Sequence, residues 1–105
     1  MIQKIKKFLG IEPAPDLNEW VSNGAIILDV RTKSEYKSGH VKGSINIPLQ
    51  ELSAGLGKLK DKDRPIITCC ASGMRSGSAK AILRTKGYSK VHNGGSWYNL
   101  QRFEK

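Results

Sequence analysis

At 105 residues the chain has room for one domain, with a core over about residues 14–103 and a short basic segment, 1–13, before it. A composition of 38% hydrophobic and 26% charged residues excludes the disordered and membrane classes. The formal charge is +9, and between Asp63 and Glu104 there is no carboxylate, only Arg64, Arg75, Lys80, Arg84, Lys86, Lys90 and Arg102. An anion approaching that half of the sequence meets only positive formal charge, although a solvated basic face would carry the same residues.

The first nine residues carry Lys4, Lys6 and Lys7 among Ile2, Ile5, Phe8 and Leu9, with no apolar run that could serve as a signal-peptide core or span a bilayer. The protein is therefore expected to stay where it is made, without stable membrane insertion. Ile2, Ile5 and Leu9 fall at helical spacing, which predicts a short helix packed on its own domain, with contact to a membrane surface as the alternative. Asp16 followed by Glu19, with Leu17, Trp20 and Val21 on one face and Gly24 beyond, predicts a capping box and a two-turn helix. Ala25 to Val30 is nearly continuous in apolar residues, as in a strand covered on both faces. Thr32 and Glu35 form a second capping box, and Gly39 ends the short helix that carries Tyr36.

Val41 to Ile47 is a short extended piece, and Pro48 stands where a helical turn would begin. Leu49, Leu52, Leu56 and Leu59 follow at near-helical spacing interrupted by Gly55 and Gly57, so two broken turns are expected. The mixed-charge run Lys58 to Arg64 reads as a solvated loop. Ile66 to Cys69 repeats the buried-strand pattern, Ser76 to Lys86 reads as a helix with Ala79, Ile82 and Leu83 inward, and Gly87 stops it. Val91 and His92 could form one more short strand, and Ser96 to Phe103 a last helix. Alternating strands and helices imply an α/β sandwich with a mainly parallel sheet.

Both cysteines, Cys69 and Cys70, are neighbours. They cannot staple distant parts of the fold, which argues for a reducing cytoplasm. With two remote histidines, His40 and His92, they match no standard ligand spacing, so no metal and no cofactor is expected. Cys70 falls where a buried strand runs out, the place where open α/β sheets bind ligands. The loop Ala71-Ser72-Gly73-Met74-Arg75 then feeds a helix near Ser76. Small residues and Gly73 permit a turn whose backbone N–H groups point inward as an anion nest, and the helix start adds partial positive charge. Those features, with Arg75, would lower the thiol pKa and make Cys70 a nucleophile, while Ala71 to Ser76 cradle its substrate. A buried structural thiol is the competing reading. Cys69, on the opposite side of the strand, should enter the core; the rival is that it resolves oxidised Cys70 through a strained vicinal disulfide.

Cys70-x-x-Gly73-x-Arg75-Ser76 resembles the active-site loop of the rhodanese superfamily. Leu28-Asp29-Val30-Arg31, Glu35-Tyr36 and Gly39-His40-Val41-x-Gly43-Ser44-Ile45-Asn46-Ile47-Pro48 resemble that family's other signature, with Ser44 where alanine is commoner. The resemblance runs from about Asp16 to Phe103. It implies a three-layer sandwich with a central sheet flanked by helices, and a sulfurtransferase that carries sulfane sulfur on Cys70 as a persulfide. A small anionic donor such as thiosulfate and a thiol or sulfur-acceptor protein would be its partners. The six residues from Cys70 to Arg75 match the sulfurtransferase loop length, whereas related phosphatases and arsenate reductases have a longer loop. Asp29, Arg31, Glu35 and His40 belong to the family pattern as structural residues, supplying a buried ion pair and hydrogen bonds, and His92 is expected to face solvent or the sheet end.

Two other classes of function compete. Rhodanese folds also serve as binding modules, which typically lack the nucleophile kept here. Nucleic-acid binding is suggested by the charge and by Trp97, Tyr98 and Phe103 near Lys90 and Arg102. Aromatics at helical spacing are read instead as core, and no nucleic-acid partner is expected. A monomer is expected too.

Overall fold

The computed structural model of the chain describes residues 14–105. The helix expected within Met1 to Leu9 lies outside the described residues. Asp16 Oδ1 accepts from the N–H groups of Asn18 (3.0 Å) and Glu19 (3.3 Å) and so caps α1, Leu17–Ser22. Strand β1, Ile26–Asp29, follows. The box at Thr32 closes in both directions: the Glu35 N–H donates to Thr32 Oγ1 (3.2 Å) and the Thr32 N–H to Glu35 Oε1 (3.1 Å). It opens α2, Lys33–Ser38. After β2, Ile45–Asn46, the two broken turns are 3₁₀ turns, Leu49–Glu51 and Leu56–Lys58, which bring Leu52 and Leu59 into the core.

The second half comprises β3, Ile66–Cys70, α3, Met74–Thr85, β4, Val91–Ser96, and a 3₁₀ segment, Trp97–Phe103. The strands form one all-parallel sheet in the order β2-β1-β3-β4. One face carries Ile26, Leu28, Ile66 and Cys70 against Leu52, Leu59, Ala79 and Leu83. The other carries Ile27, Ile67 and Cys69 against Val41, Leu100 and Phe103, with Trp20 and Trp97 alongside. This is the three-layer α/β arrangement. Strand alternation places Cys69 and Cys70 in opposite layers. Among the described residues no helix is long and apolar enough to cross a membrane.

Several boundaries differ from the sequence reading, and the larger shifts have local reasons. Strand β3 extends through Cys70, because Cys70 still pairs with Ser96 across a bulge. Helix α3 starts at Met74, two residues early, because Gly73 supplies the turn itself at φ +110°. Met74 and Arg75 thus join Ser76 in the first helical turn and do not belong to a preceding loop. The last segment is 3₁₀ and not α: Trp97, Leu100 and Phe103 recur every third residue, the 3₁₀ period, and all three pack on the same layer. The core reading therefore holds for Trp97 and Phe103, while Tyr98 is 65% exposed.

Strand β4 also runs further than Val91 and His92, and Gly94 makes this possible. A Cβ there would stand 2.8 Å from Ile67 Cγ2 and 2.9 Å from both Leu100 Cδ1 and the Thr68 carbonyl oxygen. Gly94→Ala is expected to cost about 1–3 kcal/mol by overpacking. Urea unfolding checks this, and a midpoint equal to that of the parent would contradict the packing described.

Candidate active site

The site is built by β3, by the turn after it and by the first turn of α3, at the carboxyl edge of the sheet. Cys70 itself is buried, while Ala71 and Ser72 above it are exposed. Thr68 Oγ1 donates to the Ser76 carbonyl (2.9 Å), which ties the helix start back to the strand. The turn wraps the sulfur: Cys70 Sγ accepts from the Gly73 N–H at 2.9 Å and from the Ser76 N–H at 3.4 Å, and the thiol donates to Ser76 Oγ at 3.3 Å.

Burial pushes the Cys70 thiol pKa up, but the Ser76 hydroxyl and the N–H groups of Ser76, Gly73 and Ser72 outweigh it, so the balance falls below the ordinary thiol value. Cys69 has the opposite fate. Burial, and then the charge of Asp29, push it up to about 12. The surroundings of two adjacent cysteines thus push their thiols in opposite directions.

Arg75 acts on the sulfur through its charge and not through a hydrogen bond. Its guanidinium pairs with Glu35 in a fork, Nη1 to Oε1 at 2.6 Å and Nη2 to Oε2 at 2.9 Å, at a half-buried position. A rigid, planar fork finds a matching carboxylate there and gives up the longer reach to a lone sulfur. The Arg75 hydrogen bonds, followed by the Thr32 N–H, hold the Glu35 carboxyl down to about 2. The pair straps α2 to α3 beside the loop.

The buried ion pair is Asp29 with Arg31, 0% and 5% exposed at the side chain, with Nη2 to Oδ2 at 2.7 Å. Arg31 also donates to the carbonyls of Gly39 (2.7 Å) and Glu35 (3.3 Å) and lies over the Trp97 ring. His40 stacks on Tyr36, with Nδ1 2.7 Å from the Tyr36 carbonyl. His92 packs edge-on to Trp20 in a groove with Lys80 and Lys90. Burial, then Lys80, lower its pKa, and it makes no bond to Cys70. Among the described residues no group of three or more His, Cys, Asp or Glu is placed to hold a metal.

The sequence model of the Rhodanese-like domain family matches residues 13–100. The chain belongs to the rhodanese-like domain family. It is 41% identical over 69 residues to thiosulfate sulfurtransferase PspE of Escherichia coli, an overlap of 65% of this chain and 66% of that protein. It is 32% identical over 98 residues to thiosulfate sulfurtransferase GlpE of Ectopseudomonas mendocina, covering 93% of this chain and 88% of that one. The match to YqhL of Bacillus subtilis, 35% identical, spans 54% of that protein and 66% of this chain. Among solved structures, a rhodanese with anions from E. coli superposes with a TM-score of 0.68 at 36% identity, covering 72% of this chain and 91% of the other.

In this rhodanese-like domain Cys70, Ser72, Gly73 and Ser76 converge on the sulfur through their thiol, hydroxyl or N–H groups. Met74, expected to line the cradle, is 83% exposed instead, because the first helical turn faces it outward. Ala71 is exposed above the sulfur. One participant was absent from the sequence reading. Asn93, in β4, accepts at Oδ1 from the Ser76 hydroxyl (2.6 Å) and the Gly95 N–H (2.9 Å), and donates from Nδ2 to the Gly73 carbonyl (3.1 Å). Its one sequence signal is an amide residue inside a strand, where asparagine is depleted, beside Gly94-Gly95.

Proposed function

We propose that the protein is a sulfurtransferase that moves sulfane sulfur from thiosulfate, or another anionic persulfide donor, to a thiophilic acceptor through Cys70. The observation that carries this reading is the ring of donors from Ser72, Gly73 and Ser76 around Cys70 Sγ, which favours its thiolate. In the first step the thiolate attacks the outer sulfur of thiosulfate, a new S–S bond forms, the old one breaks, and sulfite leaves with the electron pair. In the second, a thiolate or cyanide attacks the terminal sulfur of the persulfide, and Cys70 leaves as thiolate. Neither step needs a general base, metal or redox cofactor. The same N–H donors stabilise the negative charge on Sγ before the first step and again when the second returns it there.

Intact-protein mass spectrometry after incubation with thiosulfate tests the reading. A gain of one sulfur mass, about 32 Da, is expected, reversed by cyanide and absent from Cys70→Ser. If no adduct forms with thiosulfate or persulfide donors while Cys70 remains alkylatable, the protein is a binding module that retains the thiol.

A further inference from the structure

We propose that Asn93 is a positioning residue that holds the Cys70 cradle in shape, by pinning the Gly73 carbonyl and the Ser76 hydroxyl to β4. The inference deepens the sulfurtransferase reading and rests on it for the sulfur that the cradle would hold. Gly73 gives one donor to the sulfur, at φ +110°, a conformation that leaves its peptide planes free to turn unless something holds them. Its carbonyl is held from two sides, by the Gly77 N–H (3.0 Å) and Ser76 hydroxyl (3.1 Å) of α3 and by Asn93 Nδ2 (3.1 Å). The first comes from the helix that Gly73 itself starts, so only the second anchors the turn to the sheet.

Ser76 is held in the same way. Its Oγ lies 3.3 Å from Cys70 Sγ, 3.1 Å from the Gly73 carbonyl and 2.6 Å from Asn93 Oδ1. The hydroxyl has one proton for these acceptors. With Cys70 protonated, the thiol donates to Oγ and Oγ donates to Asn93. With Cys70 ionised, the hydroxyl can turn to the sulfur, and Asn93 Oδ1 still keeps the Gly95 N–H at 2.9 Å. One amide thus lets the serine serve both states without stranding a buried acceptor.

A second observation supports this geometry. Gly77, in the first half of α3, is where a Cβ would stand 3.3 Å from Asn93 Nδ2. A helix-interior glycine is unfavourable by propensity, and here it leaves the space through which the amide reaches Gly73. The charged or titratable groups that act on Cys70 are Arg75 from α3, itself paired with Glu35 from α2, and Cys69 from β3. The substitutions below leave all of them in place.

The test compares the parent, Asn93→Ala and Gly77→Ala by two measurements. The first is amide hydrogen exchange at Gly73 and Ser76, referred to amides of β1 and β3. The second is the rate of sulfur loading from thiosulfate. In Asn93→Ala, exchange at the two cradle amides should rise about tenfold relative to the strands, and loading should slow by about tenfold. Gly77→Ala should move both in the same direction by less, while its melting temperature does not fall, since alanine is the better helix former. Cradle exchange at the parent ratio in folded Asn93→Ala would overturn the proposal. If that variant fails to fold, an unchanged ratio in Gly77→Ala overturns it. Exchange needs no sulfur donor, so failure of the sulfurtransferase reading would show in the loading assay of the parent and not here.

Discussion

Replacing Arg31 by alanine is expected to destabilise the protein by about 3–5 kcal/mol, the cost of leaving one partner of a buried ion pair uncompensated. Asp29 has no exposed side-chain surface, and Arg31 meets it with Nε at 3.0 Å from both carboxylate oxygens and Nη2 at 2.7 Å. In Arg31→Ala the carboxylate keeps the backbone N–H of residue 31, at 3.0 Å, and loses the guanidinium. The Gly39 and Glu35 carbonyls lose a donor as well, so α2 loosens at both its middle and its end. A domain of this size has a total stability of about 5–15 kcal/mol, so the variant should unfold at a much lower urea concentration. Removing both charges, as Asp29→Leu with Arg31→Met, should recover a large part of the loss, because it is the orphaned carboxylate that costs most. A loss below about 1 kcal/mol in Arg31→Ala would mean that the pair is dispensable.

The two cysteines should differ in reactivity by orders of magnitude. With its pKa pushed up to about 12, Cys69 at pH 7 has a thiolate fraction of about 10⁻⁵, and it lies in the layer under Leu100 and Phe103. Cys70, shifted below the ordinary thiol value by its hydrogen bonds, should be alkylated by iodoacetamide at pH 7. Native protein should therefore take up one adduct, at Cys70, and native Cys70→Ser none. Both chains should react fully at each remaining thiol once unfolded in urea. The sign with pH follows from the direction of the shift: an acid depressed in the folded state keeps its anion to lower pH, so the Cys70 rate should fall only below the pH at which a free thiol loses reactivity. Equal labelling of Cys69 and Cys70 in native protein would refute the division.

The cap at Asp16, the capping box at Thr32, the two buried strands and the turn after Cys70 were legible because each is written within a few residues. Thr32 and Glu35 are three apart and close the box that opens α2. The unbroken apolar runs around Ile27 and Ile67 became central strands of the parallel sheet. Boundaries moved where one residue satisfied two patterns. Gly73 was legible as a loop glycine, and the structure uses it as the helix start. Met74 followed it into the helix and turned outward. The segment Trp97 to Phe103 was read at the α period, although its three inward side chains recur at the 3₁₀ period.

Sequence by itself determined that Cys70 ends a buried strand, that Gly73 and a helix follow, and that Cys69 points the other way, because strand alternation and turn chemistry are local properties. Only the tertiary structure decided which distant groups complete the site. Arg75 is claimed by Glu35, 40 residues earlier, and Ser76 by Asn93, 17 residues later. Such bonds depend on the packing of α2 and β4 against the loop. Hydrogen bonds form only within about 3 Å and along a set direction, and residue spacing carries neither quantity across separate elements.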